Sequence, residues 1–252
     1  MNRARGTKLA IFAVLMGLVF AFILMWPVAT WLQYRELWIA NEMTPDAVYL
    51  VAGSPEQDRR INGIVLFLRD KESSLRLKNG DEKGQTNTPL QILIGNDNLT
   101  SRWSSEEQRN LKKAEWAMKK LEEKTPVQQL QKDGQVILKI VPGQFNNTDG
   151  EMIALGAFLK EQPKIRTLAL ATSLYHLRRA VWRLREHLDR DIVIVAVKEP
   201  PAWHDRLPWV VAGEICKMAR DAMGLSHARF VSRSDVCEMQ SCRSALVSRR
   251  LL

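Results

Sequence analysis

Five short apolar runs recur along this chain of 252 residues, and helix-forming residues separate one from the next. They occupy 46–53 (DAVYLVAG), 91–95 (QILIG), 135–141 (QVILKIV), 166–171 (RTLALA) and 191–197 (DIVIVAV). Runs so poor in alternation suit strands buried on both faces of a parallel sheet. Strand and helix in regular succession predict a doubly wound, mostly parallel, five-stranded Rossmann-like α/β sheet over residues 45–224. In such a sheet ligands bind beyond the carboxyl ends of the strands, so the residues that follow each run are the first place to look for function.

The helix signals are specific. After the first run, Ser54 suits an N-cap, Pro55 the first helical position and Gln57 a capping box, with Ile61, Ile64, Val65 and Leu68 at helical spacing. Residues 75–89 are polar and glycine-containing and read as a surface loop. SSEEQ opens a charged helix from about Ser105 to about Glu123, with Leu111, Ala114, Met118 and Leu121 facing inward. Thr148 and Glu151 have capping-box spacing for a helix through about Leu159, and a basic helix runs from Ser173 to about Leu188. A further helix is expected over 210–223, before a basic tail, 225–252.

Residues 9–32 carry no charge, a length sufficient to cross roughly 30 Å of hydrocarbon. Arg3, Arg5 and Lys8 precede this stretch and only Arg35 follows closely, so the positive-inside bias places residues 1–8 in the cytoplasm and the main domain outside it. Trp26, Trp31, Tyr34 and Trp38 would then lie near the outer interface. A cleaved signal peptide is the rival reading, but the run exceeds a typical apolar region and WPVAT is a poor cleavage site. In an oxidising compartment Cys237 and Cys242 are placed for a local disulfide, with Cys216 left over. No zinc-binding spacing is present.

The strand ends collect polar groups: Gly53 and Ser54; Gly95, Asn96 and Asp97; Asn146, Asn147 and Thr148; Thr172, Ser173, Tyr175 and His176; Lys198 and Glu199. Together with helix N-termini they make a rim suited to an anion, and the net charge of +9 points the same way. His176 and Arg179 are the candidate catalytic pair, His176 as general acid or base and Arg179 stabilising developing charge. Gly53, Ser54, Asn96, Asn147, Thr148, Glu151, Thr172, Ser173 and Tyr175 are candidate ligand-binding residues. Ser54, Thr148, Glu151, Thr172 and Ser173 are equally explained as caps, and Gly53 as a turn residue. Arg178, Arg183 and Arg185 read as solvated surface, and His204 with Asp205 as a weaker pair. There is no GxGxxG, P-loop, HExxH or GxSxG motif. Ser173 and His176 alone are not a triad, because an oriented acid is missing.

Four stretches, DAVYLVAG with Arg59 or Arg60 in the next helix, ILIGND, NNT and ATSLYHLRRA, give the chain a further likeness. Over residues 46–197 it resembles the SanA/ElyC/YdcF-type family of bacterial envelope proteins. The resemblance implies a ligand-binding role for Arg60 and places His176 and Arg179 on the family's signature positions. It also implies an inner-membrane anchor, a periplasmic Rossmann-like domain and a part in envelope polysaccharide or peptidoglycan biogenesis, acting on a phosphorylated or lipid-linked metabolite. The chain departs from the family at Ser54, at Gly95-Asn96-Asp97 and at Glu151. A nucleotide or S-adenosyl methionine ligand and a non-catalytic scaffold for envelope or exopolysaccharide machinery are the alternatives. Nucleic acid is disfavoured by the expected compartment and by aromatics that do not interleave with the basic residues.

Overall fold

The computed structural model describes residues 14, 16, 17, 19, 20, 44–53, 57–78, 89–97, 101–143, 145–197 and 208–223. The chain divides into two compact units, Met1–Glu214 and Ile215–Leu252. In the second, the described residues 215–223 are mostly helical; Arg220 holds the Asp221 carboxylate at 2.9 Å, and Cys216 is an exposed free thiol. Cys237 and Cys242 lie outside the described residues.

The first unit carries the sheet. Its strands are β1 (Ala47–Leu50), β2 (Leu90–Ile94), β5 (Val136–Ile140), β6 (Thr167–Ala171) and β7 (Val193–Ala196). Every pairing among them is parallel, and the spatial order is β5, β2, β1, β6, β7. This is the expected architecture, with four of the strands one to four residues shorter than their apolar runs and β2 equal in length but one residue earlier. The order reverses at β1: the next strand in the chain lies on one side of it, and the later pair on the other. In an open α/β sheet that reversal leaves a crevice between the two central strand ends.

Side-chain alternation divides the core into two layers. Val48, Leu50, Ile92, Ile94, Ala169 and Ala171 face helices α1 (Gln57–Lys78), α2 (Lys113–Glu122) and α3 (Thr125–Lys132). Tyr49, Val51, Leu93, Leu168 and Leu170 face α4 (Thr148–Lys160) and α5 (Leu174–His187). The expected helical stripe Ile61, Ile64, Val65 and Leu68 is buried against the first layer. Each such side chain contributes about 1.5–3 kcal/mol of burial. Helix α6 (Pro208–Ala222) completes the described elements and spans the boundary between the two units.

Three local expectations are corrected. The helix expected from Ser105 begins at Lys113; before it, β3 (Ser101–Ser104) and β4 (Arg109–Lys112) form an antiparallel hairpin. SEEQ is its turn, closed by a bond from Gln108 Nε2 to Ser105 O at 2.6 Å, with Gln108 at φ 52. Glu115 then takes the backbone N–H of Lys112 at 3.0 Å and the Arg109 guanidinium at 3.1 Å, which ends the strand and starts the helix. Leu111 is still buried, but from the strand. The loop expected over 75–89 is helical through Lys78. A short helix, α3, precedes β5, with Pro126 in its first turn.

Helices α4 and α5 pack closely at Gly156, where an added Cβ would stand 2.9 Å from the His187 carbonyl oxygen. Because the obstacle is backbone, Gly156→Ala is expected to lower unfolding stability by roughly 1–3 kcal/mol. Urea denaturation checks this, with Gly134→Ala a poor control because Gly134 has φ +68.

Candidate functional site

Arg60 marks the crevice where the strand order reverses. It rises from the first turns of α1 and is only 5 % exposed. Its Nη1 donates to Val51 O at 2.7 Å and Ala52 O at 3.0 Å, just past β1, and its Nη2 donates to Ser173 Oγ at 3.0 Å, just past β6. One guanidinium thereby clips together the ends of the two central strands, serving the carbonyls of Val51 and Ala52 beyond β1 and the hydroxyl of Ser173 beyond β6. Gly53 follows at φ +124, a conformation that favours glycine, and a Cβ there would meet Arg60 Nη1 at 3.4 Å. Ser173 is the N-cap of α5, but its side chain makes no capping bond; the hydroxyl serves Arg60 instead.

His176 and Arg179, one helical turn apart on α5, meet at a residue that the sequence reading missed. Glu214 of α6 is 1 % exposed, and its Oε1 lies 2.9 Å from His176 Nδ1 and 2.5 Å from Arg179 Nε. Arg179 Nη2 is also 3.1 Å from His176 Nδ1. Glu214 Oε1 accepts from a protonated Nδ1, whereas Arg179 Nη2 donates only to an unprotonated one, so the two neighbours of Nδ1 favour opposite tautomers. Nε2, on the far side of the ring, is 3.5 Å from Thr148 Oγ1 at the start of α4, and it carries the lone pair in the tautomer that donates to Glu214. Burial, with help from the charges of Arg179 and Arg60, lowers the imidazole pKa despite Glu214, so His176 is neutral at pH 7. The one signal of Glu214 in the sequence was a lone acid in the apolar stretch VVAGEIC.

Glu151 has a different role from the one its spacing suggested. Asn147, not Thr148, is the N-cap of α4, and its Oδ1 accepts from Gly150 N at 2.8 Å. The Glu151 carboxylate turns inward, where its Oε1 accepts from Ala52 N at 2.6 Å and Tyr49 Oη at 2.9 Å. Burial raises its pKa from 4.5 to about 7, against those two donors and the Arg60 charge and with Asp97 assisting. Gly95 admits this arrangement because any Cβ there would stand 2.6 Å from Tyr49 Oη and 2.8 Å from Glu151 Oε1.

Asn96 Nδ2 donates to Gly143 O at 2.9 Å, tying the end of β2 to the loop after β5. Thr172, 2 % exposed, has a hydroxyl with no hydrogen-bond partner among the described residues. Tyr175 is half-buried in the first turn of α5. The exits of β1, β2, β5 and β6 thus share one rim, joined through Arg60, Glu151 and the His176–Thr148 approach. Ser54, Lys198, Glu199, His204 and Asp205 lie outside the described residues. Arg183 is not solvated surface: it is buried and pairs with Asp149 of α4 and Glu186 of its own helix, with His187 Nε2 3.5 Å from the same Asp149. The basic spacing of α5 concealed this because an acid contributed by another helix leaves no mark in the local sequence. Among the described residues no group of three or more His, Cys, Asp or Glu side chains is arranged to hold a metal.

Comparison with protein-family models, with curated proteins and with solved structures found no match. The class stands on the architecture alone, an α/β fold with an all-parallel Rossmann-like sheet.

Because its folded pKa is raised, Glu151 favours folding most below pH 4.5, and that contribution is lost as pH rises to about 7. The loss is on the order of 3 kcal/mol. His176, with a lowered pKa, acts in the opposite sense, its contribution falling away as pH drops below its ordinary 6.5. Urea midpoints of wild type and Glu151→Gln from pH 4.5 to 8 separate the two: the variant is expected to lose the downward limb and keep the upward one.

Proposed function

We propose that this chain is a membrane-anchored extracytoplasmic domain that binds an anionic, phosphorylated or lipid-linked envelope metabolite at the carboxyl rim of its sheet. The observation that carries the reading is the convergence of Arg60, Ser173, Thr148, His176, Arg179 and Glu214 on the strand ends beside the order reversal. Two guanidiniums and the first turns of α4 and α5 bring positive potential there, which favours an anion. The departures at Gly95 and Glu151 fit the same site, since the pair allows a carboxylate to hold the turn after β1 from beneath. The motif resemblance supports assignment to the SanA/ElyC/YdcF-type family and to envelope polysaccharide or peptidoglycan biogenesis.

The uncharged stretch 9–32 supports the anchor. Val14, Met16, Gly17, Val19 and Phe20 within it are helical, and the four apolar side chains among them are 52–63 % exposed, as lipid-facing residues would be. Among the described residues no helix is long and apolar enough to cross a membrane; most of 9–32 lies outside them.

Ligand capture tests the site. His176→Gln is the variant of choice, because removing Arg179 would strand a buried carboxylate at a cost of roughly 3–5 kcal/mol. Mass spectrometry of small molecules and lipids co-purifying with the detergent-extracted protein is expected to detect an anionic species reduced about tenfold or more in the variant. Equal profiles reject the site, and loss only on deletion of 225–252 would favour the scaffold reading. Periplasmic and cytoplasmic reporters fused after Leu252 test topology; activity only of the cytoplasmic one overturns the compartment.

A further inference from the structure

Three groups in the site stand in an order that ligand binding does not require. Thr148 Oγ1, His176 Nε2, His176 Nδ1 and Glu214 Oε1 form a line from hydroxyl to imidazole to carboxylate, with steps of 3.5 and 2.9 Å on either side of the ring. We propose that this line is an acyl-transfer relay in which Thr148 is a nucleophile, His176 its general base and Glu214 the residue that orients and balances the imidazole. The substrate class is a carboxylic ester carried on the anionic ligand proposed above, and only the location of that substrate rests on that reading.

Four features separate this arrangement from a chance contact. Glu214 is buried and pairs with Arg179, and where it accepts from His176 Nδ1 the ring turns a lone pair towards Thr148. Thr148 is half-buried, so its hydroxyl is within reach of a ligand as well as of the base. It opens α4, and the positive end of that helix favours negative charge developing beside the nucleophile. The fourth is Thr172, whose buried hydroxyl at the adjoining strand end has no hydrogen-bond partner among the described residues. Both guanidiniums already bond protein oxygens, Arg60 at Val51, Ala52 and Ser173 and Arg179 at Glu214, which favours an ester over a phosphoryl group needing a direct guanidinium clamp. The 3.5 Å approach is long for a hydrogen bond, and such contacts commonly shorten when substrate is bound.

The chemistry balances without an oxidant. Thr148 Oγ1 forms a bond to the ester carbonyl carbon while its proton passes to His176 Nε2. The resulting imidazolium, balanced by Glu214, returns that proton to the departing alkoxide as the ester C–O bond breaks. Water then repeats the sequence on the acyl-threonine, releasing the carboxylic acid and restoring the hydroxyl.

An alkyl fluorophosphonate probe tests the nucleophile directly, since attack forms an Oγ1–P bond and expels fluoride, with the hydroxyl proton leaving through His176. With the full-length protein in detergent, peptide mapping is expected to place a single adduct on Thr148. The adduct should persist in Thr148→Ser and vanish in Thr148→Val, which keeps the side-chain shape. Labelling and hydrolysis of p-nitrophenyl acetate should each slow about 10²-fold or more in His176→Gln. Glu214→Gln should slow both and shift the pH at which labelling is half-maximal, an effect that loss of packing alone would not produce. Thermal unfolding accompanies each variant, and Thr148→Ser with Thr148→Val provides the comparison if a change at Glu214 fails to fold. A folded wild type without an adduct on Thr148, or equal labelling rates in wild type and His176→Gln, overturns the relay. Ligand capture and labelling are both read on the wild type: an unlabelled protein that still captures ligand rejects the relay alone, and a labelled protein without ligand rejects the binding reading alone.

Discussion

The reversal of strand order at β1 is the constraint on which the rest depends. A parallel sheet built outward in both directions from one central strand must leave two strand ends side by side with their helices departing to opposite faces. Here those ends follow β1 and β6; the Val51 N–H still reaches Ala171 O, and beyond that bond a side chain joins them. Arg60 reaches from α1, on one face, to Ser173 at the start of α5, on the other. Both core layers, the turn at Gly53 and the start of the basic helix are therefore referred to a single guanidinium.

Around that clip the charges are buried in pairs or groups. Glu214 serves two cations, Asp149 receives Arg183, and Glu151 is held by a backbone amide and a phenol with Arg60 nearby. Isolated ions in such places would cost several kcal/mol each, so each cluster commits its helices to one mutual position. The same burial displaces two titrations in opposite directions, raising that of Glu151 and lowering that of His176. The site consequently holds a neutral imidazole and a carboxyl group near its midpoint at pH 7.

Much of the fold was legible because it depends on local pattern. Apolar runs without alternation marked all five sheet strands, and the spacing of Ile61, Ile64, Val65 and Leu68 marked the buried stripe of α1. The hairpin β3–β4 was not legible, since RNLK has no strand period and its pairing with SRWS depends on a turn conformation at Gln108. Within the site, His176, Arg179 and Arg60 were legible from ATSLYHLRRA and its companion motifs. Glu151 was misread because a capping-box spacing describes reach along one helix, whereas this carboxylate finds better donors on β1. Glu214 was missed because its partners are 35 and 38 residues away.

By itself, then, the sequence determined a parallel α/β sheet, the polar character of its carboxyl rim and an uncharged segment ahead of it, for these follow from hydrophobic period, turn residues and charge spacing within short windows. Which acid meets which base was decided only by the tertiary structure. Hydrogen bonds between side chains far apart in the chain form where the packed layers place them, and neither Arg60 with Ser173 nor His176 with Glu214 carries any local signal of the other.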